Sequence, residues 1–449
     1  MAESYTKRQK LIGIIIGTVN FFSAICVSLQ SPFYPDKAEE KGATSTQYGL
    51  VFGVFELTVF IVCPIIGKFL VKLGIHRCFV WGIAITGFCC IIFGILDFIQ
   101  DPRLFVIAGI FIRIFEALGN SAFITASFSI IAQEFSSNVA TMFSTIEMCF
   151  GFGLIVGPTI GAYLYEVGGF LLPFVVLGTT LLISSLIAQI SMPSMDFSTN
   201  SNKKKGVVEA LSLIPIFLAC ACVFSASLSL GFLQVNLEPH LRNGFDVSTI
   251  TVGLIFMLNG ATYAFTAPLF GWICDKKINP KFIGLLGNFL ITISVAVMGP
   301  IPYLGIPKDY TLIVVALGVH GVGLGCSLVS GFSDAHEEAI GNGFENNIHT
   351  YGLVSGIWAS AFALGAFVGP TLGGYLKDQI GFEWSSILVV IFSILSFIAT
   401  TIFLIVSSFK SQVVHIQLDD EKSLMDESCL NKNNNNNSNV SYGTLEECS

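Results

Sequence analysis

Arg113 and Glu116 stand three residues apart in a stretch, residues 104 to 132, that carries no other charge. On a helix that spacing puts both on one face, within pairing reach. About nine residues past the start of the stretch, at ~1.5 Å per residue, Arg113 would lie ~14 Å deep, close to the middle of a ~30 Å hydrocarbon layer. Glu56, Glu147 and His320 fall inside further apolar stretches, and Glu238 at the end of another. A charge in hydrocarbon costs several kcal/mol unless it faces a cavity or a partner, so these are the candidate functional residues. Four acids against one arginine make a negative interior that attracts cations, and buried carboxylates can exchange a proton for a charged amine. The predicted chemistry is therefore proton/organic-cation antiport. Glu147 is the expected second partner of Arg113, because a short turn joins their two stretches; the simpler alternative is a static buried ion pair. His320 reads as a proton relay or as a packed, hydrogen-bonded side chain. Asn20, Gln30, Gln234 and Asn236 could hydrogen-bond an amine, and Tyr263, Phe265 and Trp358 could supply cation-π faces, although packing is the commoner role of aromatics in an apolar helix.

The elements that position these residues follow from composition. With 53% of residues hydrophobic, 12% charged and 41 phenylalanines in 449 residues, the chain is too apolar for soluble domains. A span needs roughly 20 mostly apolar residues, and twelve such stretches occur: 11 to 33, 47 to 67, 78 to 97, 104 to 132, 139 to 165, 170 to 192, 210 to 237, 249 to 271, 280 to 303, 310 to 333, 350 to 376 and 383 to 408. The expected fold class is all-α integral membrane. With the N-terminus cytoplasmic, fifteen Lys and Arg fall inside and six outside, so both termini are expected in the cytoplasm. The first stretch follows a basic head but is long and lacks a small-residue cleavage site, which reads as a retained span.

The chain repeats itself. GLIVGPTIGAYLYEVGGF (153 to 170) and GAFVGPTLGGYLKDQIGF (365 to 382) share ten of eighteen positions, and the polar segment 194 to 209 lies between the sixth and seventh stretches. The expected layout is an N-terminal half, 11 to 193, a cytoplasmic linker, 194 to 209, and a C-terminal half, 210 to 408. Parallel six-span halves place a substrate site near the midplane between them. Gly153, Gly157 and Gly161, like Gly365, Gly369 and Gly373, recur every four residues, baring one helix face for close backbone approach. Pro158 and Pro370 each remove a backbone hydrogen bond and favour a bend. GKFLVKLGIHR (67 to 77) and GWICDKK (271 to 277) leave the second and eighth spans at corresponding places.

These strings resemble the major facilitator superfamily: GLIVGPTIGA and GAFVGPTLGG its fifth- and eleventh-helix motif, GWICDKK its loop motif Gly-x-x-x-Asp-Arg/Lys, and RIFEALG its fourth-helix motif Arg-x-x-Gln-Gly, with Glu116 in place of Gln. The resemblance implies twelve helices in two pseudo-symmetric halves, a proton-coupling role for Arg113 and its neighbouring carboxylate, and a gating latch at Asp275 and Lys276. Gly157, Pro158, Gly369 and Pro370 join them as gating candidates. In the first loop Val71 stands where the superfamily has Asp. Through about residue 408 the chain is most similar to the vesicular amine transporters, above all their polyamine branch, along VNFFSAICVSLQSPFYPDKAEEKGA, SSNVATMFSTIEMCFGFGLIVGPTIGAYLYEVGG, NGATYAFTAPLFGWICDKK and NGFENNIHTYGLVSGIWASAFALGAFVGPTLGGYLKDQIGFEW. Asn20 replaces the acid expected in the first helix of monoamine members, and Trp358 occupies the region of their helix-eleven aspartate. The implied function is proton-driven import of polyamines or related organic cations into acidic vesicles, with Glu116, Glu147 and Glu238 meeting the substrate.

A cell-surface cation exporter and a non-transporting receptor are the alternatives. A membrane enzyme would need a metal or nucleophile cluster, for which only Asp334, His336, Glu337, Glu338 and His349 come near one another; a solvated loop explains them, and no metal, cofactor or nucleic acid is expected. None of the twelve cysteines has metal spacing. Residues 409 to 449 read as a disordered tail, where DEKSLM (420 to 425) has the shape of a signal for a sorting adaptor and Asn439-Val-Ser441 is a sequon expected to go unused.

Overall fold

The computed structural model describes residues 5–30, 33–192, 206–245, 249–276, 278–299, 301, 305 and 307–437. Lys203 to Lys205, with most of the expected linker, and the sequon at 439 to 441 lie outside the described residues. Among those described there is helix and no strand. The helices α1 (Lys7–Ser28), α3 (Ser45–Leu73), α4 (Ile75–Ile95), α5 (Pro102–Glu134), α6 (Val139–Gly168) and α7 (Leu171–Ser191) supply the first six spans, and α9 (Ile214–Phe245), α10 (Thr249–Asp275), α11 (Pro280–Met298) and α12 (Tyr310–Gly341) the next four. Short helices α2 (Tyr34–Glu40) and α8 (Val207–Leu211) lie between them.

Eleven helices are long and apolar enough to cross a membrane among the described residues. The last, α13 (Ile348–Asn437), holds a 62-residue apolar stretch to Phe409. Straight, that stretch would be ~93 Å long, three times a hydrocarbon core. It breaks at Gly381, whose φ of 82° suits only glycine comfortably, so it makes the eleventh and twelfth crossings. The chain divides into two units, Met1–Phe397 and Ile398–Ser449. The second is helical as far as Asn437, so the tail expected to lack secondary structure carries helix there; Lys, Gln, Leu and Glu in 409 to 430 are strong helix formers.

Local sequence sets the helix starts. Thr6 with Gln9 and Thr44 with Gln47 form capping boxes, and Asp101 and Asp309 accept from Leu104 N and Leu312 N. The repeated glycine string makes close helix pairs. A Cβ on Gly153 or Gly161 would lie 2.4 Å from the carbonyl oxygen of Phe21 in α1 or of Leu29 just after it, and one on Gly365 or Gly369 2.5 Å from the Phe224 or Leu228 oxygen of α9. Gly157 faces Ser28, and Pro370 faces Gly231. The repeat therefore docks α6 on α1 and α13 on α9, once in each half. Outside these seams Trp81, Phe88, Phe111, Phe115 and Ile190 are exposed, the apolar surface a bilayer covers.

Candidate functional site

The first cluster is built on α5. Arg113 Nη1 donates to Glu116 Oε2 at 2.9 Å, and both side chains are buried. The guanidinium lies over the rings of Phe52 and Phe55 from α3 and Phe93 from α4, at 5.8, 5.3 and 5.1 Å, contacts that stabilise a desolvated cation. Half-buried Glu56 on α3 lies within electrostatic reach of Arg113. The cluster thus holds two carboxylates against one permanent cation, with Glu56 in the place where the sequence leads one to expect Glu147.

Glu147 is not part of it. Tyr263 Oη on α10 donates to Glu147 Oε2 at 2.5 Å, both side chains buried. No cation pairs with Glu147 among the described residues. The expected pairing with Arg113 fails for a reason of length. Antiparallel helices sharing a turn are level at equal distances from it; Arg113 precedes residues 135 to 138 by 22 positions and Glu147 follows them by 9, which separates their levels by roughly 20 Å. Two acid stations therefore exist at different depths, and Glu147 bridges the N-terminal half to the C-terminal half.

On the face where α1 begins, Asp275 at the end of α10 accepts from two backbone donors of α6, Ala140 N at 3.0 Å through Oδ1 and Thr141 N at 2.8 Å through Oδ2. Asn138, the residue before α6, makes no side-chain cap bond of its own, so a carboxylate of the other half caps this helix and meets its dipole. Lys276 lies 3.5 Å over the Trp272 ring. Just inside, Phe143 of α6 stacks on Phe332 of α12 at 4.1 Å between centroids, with Phe128 and Trp358 edge-on around them. Both halves contribute to this aromatic layer.

The remaining candidates disperse. His320 accepts at Nδ1 from Asn259 Nδ2, which also donates to the Leu317 carbonyl, and sits 2.9 Å from Ser229 Oγ at Nε2. Protonated on Nε2 it is fully satisfied as a neutral imidazole pinning α9, α10 and α12, which is the packed reading. Glu238 pairs with Arg242 at 3.1 Å on an accessible helix end. Asn20 and Asn236 are buried and donate to their own helices at Ile16 and Phe232; Gln30 donates to Val27 O, and Gln234 is exposed. Phe265 is 68% exposed and cannot wall an interior site. Trp358 is buried and donates to Leu328 O.

No group of three metal-ligating side chains forms among the described residues. Asp334 and Glu338, one turn apart on α12, instead grip buried Lys281 of α11 at 2.5 Å each. Sequence reasoning placed Lys281 among cytoplasmic loop charges; the spacing of its two acids was the available signal. Tyr263, read from the sequence as a cation-π face or as plain packing, instead holds a carboxylate.

A profile of the Major Facilitator Superfamily matches residues 16–344. MFS-type transporter SLC18B1 of Rattus norvegicus is 35% identical over 399 residues, 89% of this chain and 87% of that protein. The chromaffin granule amine transporter of Homo sapiens is 23% identical over 343 residues, 76% of this chain and 62% of that one. The crystal structure of the human organic anion transporter MFSD10 (TETRAN) matches with a TM-score of 0.69 at 14% identity, covering 88% of this chain and all of that one, a likeness of fold alone.

Proposed function

Because this chain belongs to the Major Facilitator Superfamily, and is a multi-pass membrane transporter rather than an enzyme, we propose that it exchanges protons for organic cations, polyamines foremost, carrying the cation from the cytoplasm into vesicles. The observation that carries the reading is Glu147: a buried carboxylate with no cationic partner among the described residues, bonded across the two halves to Tyr263. A protonated amine reaching it shares the carboxylate with Tyr263 and draws charge away from that bond, so binding the cation weakens one tie between the halves. Arg113, Glu116 and Glu56 form the second station, where a proton is taken up and released. The excess of Lys and Arg on the face of Asp275 supports that face as cytoplasmic. The amine transporter of chromaffin granules among the relatives supports an amine cargo and a vesicle membrane.

Uptake of labelled spermidine into proteoliposomes acidified inside, with serotonin and an organic anion in parallel, tests this. Spermidine accumulation that collapses with the pH gradient is expected, and Glu147→Gln should remove it. Wild-type accumulation in Glu147→Gln and Glu116→Gln would exclude the carboxylate mechanism; efflux at the cell surface would favour an exporter; binding without counterflow would favour a receptor.

A further inference from the structure

On the face opposite Asp275, helix α2 is seven residues long and outside the spans, yet its first residue is fully buried. The Tyr34 ring packs on Phe52 and Phe93 with centroids 5.3 and 5.1 Å apart, the same two rings that Arg113 covers. Its hydroxyl lies 3.6 Å from where a Cβ on Gly109 would stand. Gly109 is four residues before Arg113 on the same face of α5, and helical side chains lean back toward the preceding turn, so the hydroxyl and the guanidinium occupy the same side of α5 against the same two rings. Tyr34 Oη and Arg113 Nε are both buried and have no hydrogen-bond partner among the described residues. Each orphaned group costs about 1–3 kcal/mol, and one water between them would satisfy both.

We infer that Tyr34 Oη and Arg113 Nε hold an internal water, and that this water is the proton's path between the vesicle lumen and Glu116. The inference rests on the antiport reading and supplies its lumenal proton step. Burial lifts the Tyr34 hydroxyl to about 12, with Arg113 pulling the other way, so it stays a neutral phenol that both accepts and donates. A lumenal proton arrives at Tyr34 Oη, the phenol's own proton passes to the water, and a water proton passes to the Glu116 carboxylate. Tyr34 and the water end as they began, and Glu116 ends neutral. Arg113 keeps its charge and orients the water through Nε–H. The titratable groups around Arg113 are Glu116 on its own helix, Glu56 from α3, Cys89 and Cys90 from α4, and Cys26 of α1 beside Cys90. The two carboxylates are the proton acceptors among them.

Tyr34→Phe keeps the ring on Phe52 and Phe93 and removes only the hydroxyl. In proteoliposomes, gradient-driven spermidine uptake should fall about tenfold, the upper end of what one lost neutral hydrogen bond is worth, while spermidine exchange at equal pH on both sides stays within about twofold of wild type. Undiminished gradient-driven uptake overturns the inference, and so does equal loss of uptake and exchange, which would make Tyr34 a packing residue. Wild-type uptake indifferent to the gradient removes the antiport reading itself, and is visible before any variant is made. A cryo-EM map with water density bonded to both Tyr34 Oη and Arg113 Nε is the expected structural result; a direct bond between the two side chains overturns the inference without reference to transport.

Discussion

At the end of α3, Gly67 lies against Gly352 and Gly356 of α13; at the end of α10, Gly271 lies against Ala140 and Ser144 of α6. These are corresponding places in the two halves, and each joins one half to the other. Four residues on, they differ. Asp275 reaches across to cap α6, which has no cap of its own. Val71 has nothing to offer a helix end, and α13 caps itself: Asn347 Oδ1 accepts from His349 N and Thr350 N, both at 3.1 Å. One junction is held by shape and a neutral hydrogen bond, Ser360 Oγ of α13 to the Phe60 carbonyl of α3 at 2.7 Å, and the other by shape plus a borrowed carboxylate. A repeat therefore preserves the packing of a junction while its electrostatics drift, provided the orphaned helix end finds another cap.

The shape term should be the larger. A Cβ on Gly67 would stand 2.3 Å from the Gly352 carbonyl oxygen, a backbone atom that cannot rotate away. Gly67→Ala should disfavour the closed junction by about 1–3 kcal/mol. Maleimide labelling of Ser355→Cys, a position buried beside Ser129 of the other half, would read this as faster modification from the Asp275 face. Asp275→Ala removes two backbone bonds and a dipole partner but leaves the steric fit, for an expected loss of about 1–2 kcal/mol, or roughly fivefold to thirtyfold in labelling rate. Asn347→Ala should cost about 1 kcal/mol through the second junction's own cap, read as lower thermal stability rather than faster labelling, because that cap does not cross between halves. The smallest effect belongs to Val71→Asp: with α13 already capped, the added carboxylate should change labelling by less than about twofold. A large effect there would mean that the two junctions are more alike than their caps suggest.

The spans, the two halves and the glycine seams were legible because periodic apolar length and repeated small residues are local signals. Asp275 was legible because it stands in a motif. Arg113 and Glu116 were legible because three positions on one helix fix their contact. The partner of Glu147 was not: a short turn says which helices are neighbours, and only counting from that turn says which residues are level. Tyr263 lies 116 positions away, a distance no spacing rule spans. The aromatic layer of Phe128, Phe143, Phe332 and Trp358 was hidden among 41 phenylalanines, most of which face lipid or neighbouring helices.

Lys281 has a consequence for how the chain is made. During synthesis α11 leaves the ribosome before α12, so its lysine emerges while Asp334 and Glu338 are still unmade. Lys281 is the second residue of α11, at the end of its span, where a lysine reaches the interface and costs far less than the ~3 kcal/mol it costs at a span centre. The α11–α12 hairpin is then the smallest piece in which these charges are paired, and until it forms the lysine holds the start of α11 at the membrane surface.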